Sequence, residues 1–557
     1  MATCAASGVA QSWLPASVYP SWAGGSPSRT ITIDIDLTKT NIENGARLKA
    51  AIDALVPGDA LLIGPGRWLF SSKIDVTVQG TAAKPIWIGS KYPLVRPLIT
   101  HVDAKKNVFN IGEASPARYL VLRNLEITGG SNLISLADCD HVWIHACSLH
   151  DGAGAGISTQ RDCSHIHITD NVVTNSGPST SRAVMYFGSS TAAHAISWSI
   201  IAYNQVFTAS SVSMGAGIEL EQGCHHNWMI GNIAFETNDA CIRVDGTNGN
   251  GINVIERNTC WNSRAVIMQV QGEAVVRNNV CMNGVVAFSS GDQAASATNI
   301  QVTNNTFINS GDAVRLGQWS GKPNMVFANN ACYSERGNAL RFSETTTGVV
   351  VVANVVYGNT VNIPVGAELM PGNGLQDFQN VRWDGILRNV LPTVAGPLDG
   401  RGEVLYSTPR DAVGYQRKLP LDIGALESQA SLISDVTEIP AMTGGEQRLT
   451  IHAGPSHGGR IYLVVGTMTG LLPGFDLGGY TVPLVPDAWF AFTLTNANRE
   501  YLGETLGFLD QSGRADLTLF MPPMSTSMIG TVFAHVALIM DGVNVRYVTN
   551  AALLGVK

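Results

Sequence analysis

An asparagine that returns every 21 to 33 residues, a composition rich in glycine and poor in charge, and short apolar–polar alternations between turns predict an all-β protein. The expected architecture is a right-handed parallel β-helix of about ten coils with an N-terminal helical cap and a C-terminal β-sandwich.

The 557 residues allow two or three domains and a large core. Charged residues make up 14% and glycine 58 positions, which suits a turn-rich β protein better than a helical one. A net charge of −8 argues against nucleic-acid binding, which shows a basic field. No apolar run approaches the ~18 residues of a membrane span. The nine cysteines show no CxxC pair and no zinc-type spacing, and several fall on strands, where a small core side chain is the expectation.

Residues 1–44 read as an N-terminal extension. Its first 25 residues lack a basic start and a long apolar segment, so they are not a signal peptide. From residue 45 a helix is expected, with Leu48, Ala51, Ile52 and Leu55 at helical spacing and Pro57-Gly58 as its stop. A short helix of this kind plugs the open end of a solenoid. From about 118 the chain repeats on Asn124, Asn171, Asn204, Asn232, Asn258, Asn279, Asn305, Asn330 and Asn354, with Cys147 in the place between the first two. A bend that recurs once per coil favours asparagine, which tolerates left-handed dihedrals and bonds to nearby backbone. Stacked amides of this kind can bond to one another. The repeat fades after 360. A Pro/Gly-rich tail ending in PLDIGALES closes a solenoid domain spanning 45–430. Residues 440–557 read as a β-sandwich whose strands include LTIHAG, GRIYLVVGTM, AWFAFTLT, ADLTLFMP and TVFAHVALIM.

One stretch concentrates chemistry. In Gly215–Gly246, Ile218 and Leu220 alternate with Glu219 and Glu221, and one coil later Ile242 and Val244 alternate with Arg243 and Asp245. Successive strand side chains point to opposite faces, so two glutamates, an arginine and an aspartate are expected on one outer patch, on strands roughly 4.8 Å apart. The two longest repeat steps fall beside it, and insertions in a solenoid become loops on its face.

These repeats resemble the right-handed parallel β-helix superfamily of polysaccharide-active proteins over roughly residues 45–430. The resemblance rests on Gly215-Ala216-Gly217-Ile218-Glu219 with the later Gly231-Asn232, and on DIGALE at 422–427, similar to a motif that closes such helices. The patch looks most like that of the alginate lyase and chondroitinase B family. There a Glu-x-Glu pair and an asparagine bind calcium, a lysine is the base, and an arginine one coil on assists. By that resemblance Glu219 and Glu221 are metal ligands for Ca2+, and Arg243 is catalytic. This chain departs from the pattern: no lysine follows Glu221, His225 and His226 being nearest, and RAVMYFGSS offers no asparagine one coil earlier.

Read from the residues themselves, Arg243 suits a carboxylate clamp and two glutamates on one face suit a hard cation. Histidine is the natural proton carrier near neutrality, which nominates His225 and His226, with Tyr186 as a further acid and Asp245 as a fourth member of the patch. Candidate substrate contacts are Arg182, which lies with Tyr186 in the long insertion that precedes the patch; Gln269 and Gln271, which extend the patch on the next strand; and Arg315 and Arg341, in the corresponding column further on. Ordinary surface roles remain open for each of these residues: an ion-pair ladder for the acids, turn histidines, loop packing for Tyr186.

Three functions follow. The preferred one is a polysaccharide lyase cleaving a uronate-containing polymer by β-elimination. A second is a glycoside hydrolase using Glu219 or Glu221 with Asp245 as paired carboxylates. The third is a non-catalytic carbohydrate-binding or surface protein. All three imply a polysaccharide partner, anionic for the lyase, and a monomeric protein that is secreted, periplasmic or on the cell surface of a bacterium.

Overall fold

The computed structural model describes residues 14–176, 183–207, 215–393, 396–417, 420–427, 431–453, 457–471, 474–478 and 480–557. A 15-stranded and a 23-stranded sheet, both parallel throughout, wind into a right-handed parallel β-helix. Parallel crossovers take that hand because twisted strands pack back onto the sheet only in that sense. The larger sheet comprises two faces of the coil, joined by the long strand Ala331–Phe342, which pairs with both Thr306–Asn309 and Asp312–Leu316. Every second residue turns inward and meets its counterpart in the next coil. Met185, Ile218, Ile242, Met268, Phe288 and Val314 form one such stack, all fully buried. Cys260, Cys281 and Cys332 belong to another, and the eight described cysteines are buried free thiols.

The recurring asparagine is a buried hydrogen-bonded ladder. From Asn171 to Asn354, each side-chain Nδ2 donates to Oδ1 of the asparagine one coil on, at 2.9–3.1 Å. The same amides donate to backbone carbonyls, as Asn258 does to Met229 at 3.0 Å, so a buried corner leaves few polar groups unmet. Cys147 holds the expected step, its N–H donating to Asn171 Oδ1 at 2.9 Å. Two details differ from the sequence reading. Arg123 pairs with His145, so Leu125 and not Asn124 stands opposite Cys147. The left-handed residue is also the one before the ladder asparagine: Asp170, Tyr203, Arg257, Asn278, Asn304 and Asn329 have φ between 55° and 59°. Asn124, at φ 53°, belongs to that left-handed column.

The capping helix is Asn41–Asp53. It starts earlier than expected because Thr40 and Glu43 form a reciprocal capping box. Leu48, Ile52 and Leu55 are buried against the first coils. The strand Arg29–Ile33 pairs with Asp59–Ile63, so residues 29–44 belong to the solenoid's beginning. Before them, Val18 packs on Ile200, Trp228 and Val254, and Trp22 on Trp87 and Val121, along the outside of the smaller sheet.

The chain divides into two compact units: 1–372 with 383–385 and 403–407, and the remainder to 557. Most of the tail at 373–430 therefore packs with the C-terminal unit. Within DIGALE, Glu427 accepts from Arg417 Nη1 at 3.0 Å, both side chains buried, and Arg417 Nη2 donates to the Gly424 carbonyl at 2.7 Å. The C-terminal unit has a four-stranded and a six-stranded sheet sharing a core of Leu449, Ile451, Val464, Leu517, Leu519 and Ile539. AWFAFTLT, expected as a strand, is the helix Ala488–Thr495. Asp487 caps it by accepting from Phe490 N–H at 2.8 Å, and that cap overrides the aromatic, strand-like composition. Among the described residues, no helix is long and apolar enough to cross a membrane.

Candidate functional site

The site lies on the face built by Ala183–Phe187, Ala216–Leu220, Ile242–Val244 and Val266–Val270. With the apolar stack inward, the register aligns Tyr186, Glu219, Arg243, Gln269, Ser289, Arg315 and Arg341 in one outward column. Parallel bonding continues past the strand ends, where the N–H groups of Glu221, Asp245 and Gln271 donate to the carbonyls of Phe187, Leu220 and Val244 at 2.9 Å. Glu221, Asp245 and Gln271 thus form a second column beside the first. The structure brings Glu219, Glu221, Asp245, Arg243 and Tyr186 together.

One carboxylate oxygen from each of Glu219, Glu221 and Asp245 lies within 4.8 Å of the others. The patch was expected to be open, and it is not: Glu219 is 0%, Glu221 2% and Asp245 6% exposed. Neighbours close over it. Tyr186 donates its hydroxyl to Glu221 Oε1 at 2.8 Å. Arg243 Nη1 donates to Glu219 Oε1 at 3.3 Å, while Nη2 donates to Asp239 Oδ2 at 2.6 Å. Glu219 Oε2 is buried with no hydrogen-bond partner. Burial drives the Glu219 carboxyl up to about 7, Arg243 pulling it down and the charges of Glu221 and Asp245 adding to the rise. Burial also works against the Arg243 charge, but Asp239 and Glu219 outweigh it and the guanidinium moves further up.

These features suit a hard cation. Three carboxylates supply up to six oxygens, calcium takes 6–8, and the partnerless Glu219 oxygen is the one such an ion would satisfy. Among the described residues this is the one group of ligand type so tightly gathered, and neither histidine joins it.

His225 and His226 occupy the corner leading into the smaller sheet. Their Nδ1 atoms share a hydrogen bond at 2.8 Å, and His226 stacks on Trp198 with ring centres 3.9 Å apart. Tyr119, His141, His165, Trp198 and His226 all have φ of 49–55°, so this is a second left-handed corner, lined with rings. Burial lowers both pKa values, with His226 adding to the effect on His225. Gln269 and Gln271 are engaged inside the protein. Gln269 Nε2 donates to Gln293 Oε1 at 2.6 Å, and Gln271 Oε1 accepts from Ala294 and Ala295 N–H at 2.7 and 3.2 Å. Arg315 pairs with Asp312 at 2.6 Å and stays half-exposed; Arg341, alongside it, is exposed. Arg182 lies outside the described residues. Asp239 and Gln293 were absent from the sequence reading. Asp239 carries a readable signal, four residues before Arg243, whereas Gln293 meets the site only through the fold.

No family model matches the chain, and no curated protein does. Solved structures are similar to it. A pectate lyase, Pel9A, aligns at 16% identity over 72% of this chain and 97% of its own, with a TM-score of 0.43. PfbA, a surface adhesin of Streptococcus pneumoniae, aligns at 12% identity over 62% and 95%, with a TM-score of 0.37. An alginate lyase from Paenibacillus sp. str. FPU-7 aligns at 16% identity over 62% and 99%, with a TM-score of 0.35.

Proposed function

We propose that this protein cleaves a uronate-containing polysaccharide by β-elimination, with the polymer lying along the Tyr186–Arg341 column. The observation that carries this reading is the trio of buried carboxylates within 4.8 Å, one of whose oxygens has no partner, directly beneath Arg243 and Tyr186. Glu219, Glu221, Asp245 and Asp239 face a single arginine, so the ionised group is strongly negative and would repel an acidic sugar. Glu219, Glu221 and Asp245 are the residues that would hold Ca2+. A bound cation there supplies positive charge to a uronate carboxylate and so acidifies the neighbouring C5–H.

The chain's own groups do the rest. Arg243, partly exposed beside the acids, clamps the same carboxylate. Tyr186, positioned by its hydrogen bond to Glu221, works as a phenolate: it takes the C5 proton as the C4–O4 bond breaks and delivers that proton to O4 while C4 and C5 become doubly bonded. Three and four strand spacings beyond Arg243, roughly 14 and 19 Å at ~4.8 Å per strand, Arg315 and Arg341 meet acidic groups further along the polymer. His225 and His226, on their ring-lined corner, are left out of the proton path. A polymer of this kind does not cross membranes, so the reading implies work outside the cytoplasm.

One observation favours hydrolysis instead: a carboxyl near 7 is what a general acid needs. Full burial of Glu219 speaks against it, because a hydrolase carboxyl must touch the glycosidic oxygen. The test is incubation with acidic and neutral polysaccharides, with and without chelator, following ultraviolet absorbance and reducing ends. Absorbing unsaturated ends that vanish with chelator support the proposal. New reducing ends without that absorbance would transfer the site to hydrolysis, and binding without cleavage would make it a recognition surface.

A further inference from the structure

The segment 291–298 leans back across the corner of the coils that precede it. Gln222 Nε2 donates to the Ala294 carbonyl at 3.0 Å, and the Ala294 and Ala295 N–H groups reach Gln271. Gly246, at φ 89°, permits the approach, since a Cβ there would stand 2.7 Å from that of Ala295. Beneath the segment remains a cavity of about 390 Å³, open to the surface, lined by Gln222, Asn248, Glu273, Asp292 and Ser296 among others. Gln222 follows Glu221, Asn248 lies three residues after Asp245, and Glu273 two after Gln271. The cavity therefore opens where the column of the carboxylate cluster ends.

Its chemistry differs from that of the cluster. The lining side chains offer amides, a hydroxyl and carboxylates, Ala294 and Ala295 being the two apolar ones. Lys322 neutralises Asp292, to which it is bonded, leaving the Glu273 charge to repel an anion. Amides and a carboxylate together match a ligand whose hydroxyls both donate and accept. The volume is at the lower end of the ~300–1,000 Å³ typical of ligand sites, enough for one or two sugar rings. We propose that this cavity binds a neutral, hydroxyl-rich sugar unit, so that the polymer cleaved at the cluster carries neutral residues beside its uronates. This rests on the polysaccharide reading of the adjoining site.

The experiment titrates the full chain with the methyl glycosides of glucose, galactose, mannose and N-acetylglucosamine, and of galacturonate, by ligand-observed NMR. At least one neutral probe should bind. Ser296→Trp, which fills the cavity from its exposed rim, should weaken that binding at least about tenfold. Asn248→Gly, which keeps the left-handed backbone and removes the amide, should weaken it several-fold. The assignment is overturned if no neutral probe binds, if both variants bind as the parent does, or if galacturonate is the preferred probe and Ser296→Trp excludes it. Loss of the elimination reading would appear separately, as neutral probe bound with no unsaturated ends formed from any uronate polymer.

Discussion

Glu219→Gln isolates the central electrostatic claim, because glutamine keeps the shape and removes the titration. In the folded chain the Glu219 carboxyl is driven from its ordinary 4.5 to about 7. Between those values the folded state holds a proton that the unfolded state has released, so stability falls as pH rises. Below 4.5 the proton is on in both states, and above 7 it is off in both. At about 1.4 kcal/mol for each pH unit, the loss across the window is roughly 3 kcal/mol. A unit of about 380 residues has an unfolding entropy near 0.8 kcal/mol/K, which converts this to a Tm difference of ~4 °C. The assay is thermal unfolding from pH 4 to 8 in chelator, parent against variant. The parent should lose ~4 °C relative to Glu219→Gln as pH rises through the window, and millimolar calcium at pH 8 should restore most of it to the parent. Parallel curves for the two proteins would refute the burial argument. A shift that calcium leaves untouched would refute the cation site alone. The variant should also lose turnover, read by ultraviolet absorbance on a uronate polymer.

Arg243→Ala should lower turnover by about 10²–10³, the usual effect of removing a charge-stabilising donor, and push the Glu219 titration higher still, since its one opposing charge is gone. Fluorescence- or NMR-detected titration checks the second part. Tyr186→Phe should cost about 1 kcal/mol of stability through its lost bond to Glu221 but reduce the rate by about 10²–10⁴; a rate within threefold of the parent would remove Tyr186 from the proton path. Asn258→Ala withdraws partners from Asn232, Asn279 and the Met229 carbonyl, all in a buried corner, and should destabilise the solenoid by about 3–5 kcal/mol, measured by urea unfolding.

Much of the fold was readable because the ladder imposes one residue type at one position per coil. The offset at Asn124 arose because an asparagine also suits the left-handed position just before the ladder, and sequence alone does not separate the two neighbours. The helix at 488–495 was missed for a different reason: one capping aspartate decided against a composition that favours strands. Alternation placed Glu219, Glu221, Arg243 and Asp245 together, whereas Tyr186, read as part of an insertion, stands on the strand Ala183–Phe187 opposite Glu219. Burial was not readable, since it depends on Tyr186 and Arg243 from neighbouring coils closing over the carboxylates; nor was the segment some 70 residues beyond Gln222 that folds back over the corner, as Gln222 and Ala294 show. The same contacts explain why Gln269 and Gln271, exposed by strand parity, are tied to Gln293 and its neighbours.

The asparagine stack has a consequence for how such a chain can change. Asn258 and Asn279 are 21 residues apart and Asn171 and Asn204 are 33 apart, yet both pairs make the same amide bond at 2.9 Å. Additions and deletions are absorbed at other corners while this one keeps count. Grafted peptides or tags inserted at the corner after Ser290 should leave the winding intact, whereas a single extra residue next to Asn258 would throw the following coils out of step.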